Sequence, residues 1–167
     1  MTNESIQQQL TDKFGDVLSG WDTPYGMLTF STRAAKNTEV VGYLKNELGF
    51  NFMTDLTAVH YPDRKDEELC VVYMLHNLID NIRVRIKAYV PSAQPDIQTM
   101  VDLFSTANWL EREAYDFFGV NFVGHPNLIR IMNVDEMDYF PLRKEYEMED
   151  PTRRDKDDEM FGRGNWQ

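Results

Sequence analysis

The feature that most constrains the fold is a strict two-residue alternation between positions 81 and 90. Four apolar residues alternate there with three cations: Ile82, Val84, Ile86 and Ala88 with Arg83, Arg85 and Lys87. Successive side chains of a strand point to opposite faces, so the pattern predicts a strand with one face in a core. The other face is either in water or covered by a partner.

Apolar spacing and turn residues predict the remaining elements of the chain. Helices are predicted at residues 5–14, 37–48, 96–104 and from Asn108 onward; strands are predicted at 17–21, 26–31, 52–61 and 69–78. This order predicts an α+β fold of two layers, with helices on one face of a mixed, largely antiparallel sheet. Residues 1–144 are expected to form a single α/β domain.

The charge and the single cysteine exclude several classes of function. The net charge is −11 over 167 residues, and a phosphate backbone requires a basic face, so nucleic acid is excluded as a partner. Residues 82–87 are the only basic candidate, and a solvated strand face is favoured there. One cysteine, Cys70 in an apolar run, rules out an intrachain disulfide and a cysteine-rich metal or iron–sulfur site. The chain has no signal-peptide pattern and no apolar run long enough for a membrane span.

Residues 145–167 differ from the rest because they are mostly charged and contain few apolar residues. Such a segment cannot bury enough surface to fold alone. It is either disordered or an extended C-terminal arm that becomes ordered against a partner, with Met160, Phe161 and Trp166 as anchors. The arm is the favoured interpretation.

Residues 107–130 combine charged and aromatic side chains more densely than any other stretch. Asn108 is predicted to cap a helix whose third residue is Glu111. Arg112 and Asp116 are spaced as i,i+4 partners, and Glu113 and Asp116 as i,i+3 neighbours. These four charged residues are expected to form an ion-pair network, and Gly124-His125-Pro126 a turn.

The same stretch gives little support for chemistry of its own. The three histidines lie far apart in sequence, no Glu-x-x-His pair occurs, and no nucleotide-binding loop is present. We therefore predict no catalytic, metal or cofactor site, although a stand-alone hydrolase using Glu113 and Asp116 remains an alternative. Arginine among aromatic residues is typical of an interface core, which favours a binding surface.

Several motifs together resemble one known family. They are Glu-Arg-Glu-Ala-Tyr-Asp-Phe-Phe-Gly at 111–119, Gly-His-Pro at 124–126, Arg-Ile at 130–131, Pro-Leu-Arg-Lys at 141–144, and Asp-Leu-Thr-Ala-Val at 55–59 followed by Tyr-Pro at 61–62. This set resembles the 30-kDa subunit family of respiratory complex I, in the type found in bacterial NADH–quinone oxidoreductase. The chain departs from the family pattern at Ile129, where an arginine is usual.

The resemblance implies a scaffold subunit without a catalytic site, in the peripheral arm of a proton-translocating NADH:quinone oxidoreductase. Its partners would be the quinone-site subunit and neighbouring iron–sulfur subunits, on the cytoplasmic side of the inner (plasma) membrane. FMN, iron–sulfur clusters and quinone would be bound by other subunits. An alternative is the equivalent subunit of a ferredoxin- or hydrogenase-linked complex.

The resemblance also marks the residues expected to make contacts. They are Glu111, Arg112, Glu113, Asp116, His125, Pro126, Arg130, Arg143 and Lys144. The acidic residues are assigned to ion pairs within the subunit or across to a neighbour, and His125 and Pro126 to a fixed corner. Arg143 and Lys144 are expected to hold the arm against an acidic partner.

Overall fold

A computed structural model of the chain describes residues 1–146. The helices are α1 (Asn3–Phe14), α2 (Asn37–Asn46) and α3 (Ala107–Phe118). The strands are β1 (Leu18–Asp22), β2 (Leu28–Arg33), β3 (Phe52–His60), β4 (Leu69–Asn77), β5 (Ile82–Val90), β6 (Asp96–Gln98) and β7 (Asn121–Val123). Thr2 caps α1 through its side chain.

The main sheet has the strand order β1-β2-β5-β4-β3. Strand β2 runs parallel to β5, and the other three pairings are antiparallel. This confirms a mixed, largely antiparallel sheet. A separate parallel pair joins β6 to β7 beside α3.

The alternation in β5 places one face of the sheet in the core. Val84, Ile86 and Ala88 are fully buried there. Residues of all three helices belong to the same buried cluster as this face, for example Ile6, Val41 and Ala114. The prediction that helices cover one face of the sheet is confirmed for the described residues. The cations Arg83, Arg85 and Lys87 occupy the opposite face.

The helix predicted at residues 96–104 was wrong. Residues 96–98 form β6, and turns follow. Ile97, Met100 and Phe104 of this segment are buried, but tertiary partners occupy two of its backbone N–H groups. The N–H of Thr99 donates to the carbonyl of Val123, and the N–H of Met100 donates to the carboxylate of Glu111. In a helix over residues 96–104 the N–H of Met100 would instead have donated to the carbonyl of Asp96.

The predicted Asn108 cap was also wrong. Helix α3 begins at Ala107, and no side chain caps its N-terminus. The N–H groups of Ala107 and Asn108 donate instead to the carbonyls of Phe104 and Ser105. Glu111 is thereby free to turn away from the helix start and into the protein.

The boundary at residue 144 and the arm at 145–167 stay predictions. Residues 147–167, including the proposed anchors Met160, Phe161 and Trp166, lie outside the described residues.

Candidate docking site

The buried carboxylate of Asp116 organises the segment that follows α3. It accepts five hydrogen bonds, three of them from consecutive backbone N–H groups at 131, 132 and 133 at 3.1, 2.7 and 2.9 Å. The other two come from the Asn133 amide at 3.0 Å and from Arg130 at 2.7 Å. One side chain on a rigid helix therefore fixes the path of a loop that has no regular secondary structure.

Arg130 is the counter-charge of Asp116 and extends the same network. Its side chain is only 8% exposed. Besides the carboxylate it donates to the Asp116 carbonyl at 2.9 Å and to the carbonyls of Met137 and Tyr139 at 2.8 and 3.0 Å. The i,i+4 pair predicted between Arg112 and Asp116 was therefore wrong, because Arg130 satisfies Asp116 from outside the helix.

The pKa of Asp116 reflects the competition between burial and hydrogen bonding. Burial alone would raise this pKa. The N–H donors of Asn133 and Met132 and the guanidinium of Arg130 outweigh burial and hold the pKa well below the usual range. The carboxylate is therefore ionised in the folded protein and excluded from solvent.

Glu111 is a second buried carboxyl group, and it lies outside the predicted ion-pair network. Its two oxygens accept from the Thr99 hydroxyl at 2.5 Å and from the Met100 N–H at 2.6 Å. No salt bridge reaches it within the described residues, and burial raises its pKa to about 7 although both hydrogen bonds lower it. Glu111 joins α3 to the turn that replaces the expected helix, so its role is internal.

Arg112 connects α3 to the loop from the outer side. Its guanidinium lies 5.0 Å from the centroid of the Trp109 ring and donates to the carbonyls of Ile129 and Arg130 at 3.0 and 3.2 Å. Three large apolar side chains around this contact are exposed: Trp109 by 63%, Ile129 by 50% and Met132 by 69%. We call these three residues and Arg112 the docking surface.

His125 lies at the corner between β7 and the loop and bridges two parts of the chain. Its Nε2 lies 3.1 Å from the Asn108 carbonyl oxygen, and its Nδ1 accepts the N–H of Asn127 at 3.0 Å. A carbonyl oxygen only accepts, so Nε2 carries a proton. A backbone N–H only donates, so Nδ1 carries none, and the ring is the neutral Nε2–H tautomer. Both nitrogens are engaged within the chain, whereas Pro126 is exposed.

The end of the loop is attached to the C-terminus of α3. Arg143 donates to the Phe118 carbonyl at 2.7 Å, and its guanidinium lies 4.8 Å from the centroid of Phe140. The Phe140 ring covers Gly119, where φ is +74° and an added Cβ would lie 2.4 Å from the ring. Glycine is required at this position both by the left-handed conformation and by the contact.

Of the nine residues predicted to make contacts, the structure brings most to the junction of α3 and the loop. Glu113 is exposed on the helix, and Lys144 is exposed while its backbone N–H donates to Nδ1 of His60 at 2.9 Å. Asp116 is buried under five donors, so the pair Glu113–Asp116 does not offer a hydrolase two carboxylates in one cleft. In the described part of the chain no cluster of three or more His, Cys, Asp or Glu is arranged to hold a metal ion.

Sequence reasoning missed four residues on which this site depends: Thr99, Asn133, Phe140 and His60. Each acts across a long sequence separation, and none belongs to a periodic pattern. The only available signal was the left-handed stop at Gly119, which indicates a tight corner but not the ring that covers it.

No helix in residues 1–146 has the length and apolar character of a membrane span.

Comparisons with known proteins agree on one family. The family model for the "Respiratory-chain NADH dehydrogenase, 30 Kd subunit" matches residues 30–152. A subunit of the NADH-quinone oxidoreductase of Geobacter metallireducens is 41% identical over 152 residues, which cover 91% of this chain and 93% of that relative. The equivalent subunit from Citrifermentans bemidjiense is 37% identical over 151 residues, covering 90% and 93%.

Two solved structures share the fold. A trypsin-resistant fragment (1-134) of Nqo5 is 33% identical with a TM-score of 0.67, covering 77% of this chain and 100% of the fragment. A chain of the membrane-bound sulfane sulfur reductase, an archaeal respiratory membrane complex, is 27% identical with a TM-score of 0.75, covering 87% and 85%. The sequence matches, together with these folds, confirm the resemblance: this chain belongs to the family of the 30 kDa subunit of respiratory-chain NADH dehydrogenase.

Proposed function

We propose that this chain is a non-catalytic scaffold subunit in the peripheral arm of a proton-translocating NADH:quinone oxidoreductase. It supports the subunit that forms the quinone site and the neighbouring subunits that hold iron–sulfur clusters. FMN, the clusters and quinone are bound by those other subunits. The chain lies on the cytoplasmic side of the inner (plasma) membrane and is attached through the complex. Family membership supports this proposal.

The docking surface is the observation that carries the proposal. Apolar side chains the size of Trp109 and Met132 are exposed although the backbone beneath them is firmly held. Arg112 holds the carbonyls at 129 and 130, and Asp116 holds the N–H groups from 131 to 133. A surface that is already ordered loses little conformational entropy when a partner binds.

The composition of this surface suits a permanent interface. Tryptophan, methionine and arginine are enriched where protein partners meet, and aromatic anchors dominate the binding energy. Burying the exposed part of each of the three apolar side chains is worth up to about 1.5–3 kcal/mol. A rigid subunit with such anchors can hold redox partners at fixed distances, on which their electron-transfer rates depend.

The test is assembly of the complex with Trp109→Ala and Met132→Ala combined in this chain. We expect at least about a thirtyfold loss of affinity for the remaining subunits, because truncated anchors cost roughly 2 kcal/mol or more. Thermal unfolding of the isolated chain should change little, since both side chains are exposed.

Ile79→Ala is the matched control, because Ile79 is 87% exposed at the turn between β4 and β5. It removes exposed apolar area away from the docking surface. Equal loss of assembly in control and test variants would contradict the assignment of the docking surface. Unchanged assembly in the test variant would contradict the proposal itself.

A second candidate is the equivalent subunit of a related complex with another electron donor. The similarity to a chain of the sulfane sulfur reductase, with a TM-score of 0.75, supports this second candidate. The two candidates differ in their co-purifying subunits. Purification through this chain should recover an NADH- and FMN-binding module if the first candidate is correct. A complex that contains a ferredoxin- or hydrogenase-type module instead would support the second.

A further inference from the structure

The face of the main sheet opposite the helices carries an unusual row of charge. Arg83, Arg85 and Lys87 occupy alternate positions of β5, so all three side chains point to this face. Residues two apart on a strand are spaced by about 7 Å, which is within one Debye length at physiological salt. The three cations therefore repel one another along the central strand of the sheet.

Nothing in the described residues forms a salt bridge with these three cations. The salt bridges within residues 1–146 involve other groups. Among the strand residues on the same face, Asp22 and Asp55 are the acidic ones, and both lie two strands away from Arg85 by the strand register. That separation is about 10 Å. Within residues 1–146 the row of cations is thus unpaired, although the net charge of the chain is −11.

Apolar side chains lie beside this row. The strand register places Met74 next to Arg85 and Val72 next to Lys87, and both are half-buried. The row continues to Tyr89, over which the guanidinium of Arg64 lies 4.9 Å from the ring centroid. We call this surface the open face; it is formed by Arg64, Val72, Met74, Arg83, Arg85, Lys87 and Tyr89. It is about 20 Å long at the rise of a strand.

Among residues 1–146 the helices pack against the other side of the sheet and leave the open face to a partner. The buried core cluster takes its β4 and β5 residues from alternate positions such as Val71, Tyr73, Val84 and Ile86. Val72 and Met74 are not part of it. Arginine beside apolar residues is the composition of a protein interface rather than of a simple solvated face.

We propose that the open face binds an acidic segment of a neighbouring subunit of the complex. The inference rests on the proposed function, because it requires that the chain have partner subunits. Carboxylates of that segment would pair with Arg83, Arg85 and Lys87, and its apolar residues would cover Val72 and Met74. The partner segment is expected to be acidic because its negative charge complements the three cations of the open face. Nucleic acid and anionic lipid fit less well, because the net charge of −11 repels both beyond the open face.

The first test measures whether Lys87 becomes covered when the complex forms. Amines of the full chain, alone and in the purified complex, are acetylated under identical conditions and compared by mass spectrometry. We expect acetylation of Lys87 to fall at least about tenfold in the complex, since its amine would be paired and excluded from solvent. Lys36, which pairs with Glu39 of α2, is the internal reference. Equal labelling of Lys87 in both samples would overturn the inference.

Carbodiimide cross-linking identifies the occupant, because it joins the Lys87 amine to a carboxylate in direct contact. A link to an Asp or Glu of another subunit supports the proposal. A link to residues 147–167 of this chain, or to a second copy of it, overturns the proposal. Loss of the Lys87 protection when the complex is treated with nuclease or detergent would identify nucleic acid or lipid as the occupant and overturns it as well.

The second test changes charge without removing apolar area. Arg85→Gln with Lys87→Gln should weaken binding to the remaining subunits about tenfold and reduce its salt dependence. Lys13→Gln with Lys36→Gln makes the same change in net charge on α1 and near α2, and should leave both properties unchanged. Equal effects of the two double variants would overturn the inference. In that outcome the chain still co-purifies with its partners through the docking surface, so the proposed function survives.

Discussion

Replacing Asp116 by asparagine tests whether one buried carboxylate holds the docking surface in place. An asparagine oxygen can accept the three backbone N–H groups at 131–133, but its amide then faces two donors, the Asn133 amide and Arg130. Arg130 would lose its counter-charge while remaining 8% exposed. Removing one partner of a buried ion pair costs roughly 3–5 kcal/mol.

The measurement is urea unfolding of the full chain at pH 7, followed by limited proteolysis of residues 124–146. For a domain of this size the expected loss corresponds to a fall in Tm of about 10 °C. Arg130→Gln is the partner variant. In the double variant the two losses should not add, because both single variants break the same pair. A loss below about 1 kcal/mol for Asp116→Asn, or full additivity in the double variant, would refute the central role of this carboxylate.

The pH dependence of stability has a definite sign for this residue. The pKa of Asp116 is depressed in the folded protein. Its ionised form therefore stabilises the fold above the unfolded pKa of about 4, and this stability is lost as the pH falls through the range below it. Asp116→Asn should lower stability throughout the neutral range, remove the acid-dependent loss, and leave the slope of stability against pH in the neutral range unchanged.

Three further predictions concern other parts of the fold. Glu111 keeps its proton up to a pKa of about 7 when folded and loses it near 4.5 when unfolded, so stability should fall by about 3 kcal/mol between pH 4.5 and 7. Glu111→Gln should flatten this slope in urea titrations, and Glu113→Gln, on an exposed position, should not. Gly119→Ala should lower stability by more than Gly26→Ala, where φ is +78° but the space is open and a loss of roughly 1–2 kcal/mol is expected; equal losses would contradict the ring contact. Deleting residues 145–167 should leave cooperative unfolding intact and weaken assembly, and non-cooperative melting of the truncated chain would show that this segment belongs to the core.

The accuracy of the sequence-based predictions followed the range of the interactions that form each element. The strands at 52–60, 69–77 and 82–90 were predicted within a residue or two, because alternating burial is a local pattern that the sheet must satisfy. Helix α2 was predicted from the same kind of periodicity. The segment at 96–104 has equally good helical spacing, yet β7 and Glu111 bind its backbone donors, and that competition is not visible in a local window.

The charged residues of α3 show the same distinction. Their types and spacing indicated an interface, and their motif indicated the family, but spacing predicted the wrong partners. Asp116 pairs with Arg130, fourteen residues away, rather than with Arg112 one turn before it. Glu111 binds Thr99 and Met100 and takes part in no salt bridge of the described residues.

The sequence by itself determined the α+β class, the sheet with one buried face and the family. Each of these depends on composition, on period or on a continuous motif. Only the tertiary structure decided which oxygen meets which donor around α3, and therefore which apolar side chains are held exposed. The reason is physical: a loop without regular hydrogen bonding takes its shape from long-range contacts. Its partners, such as Asp116 for residues 131–133, are brought together only when the chain has folded.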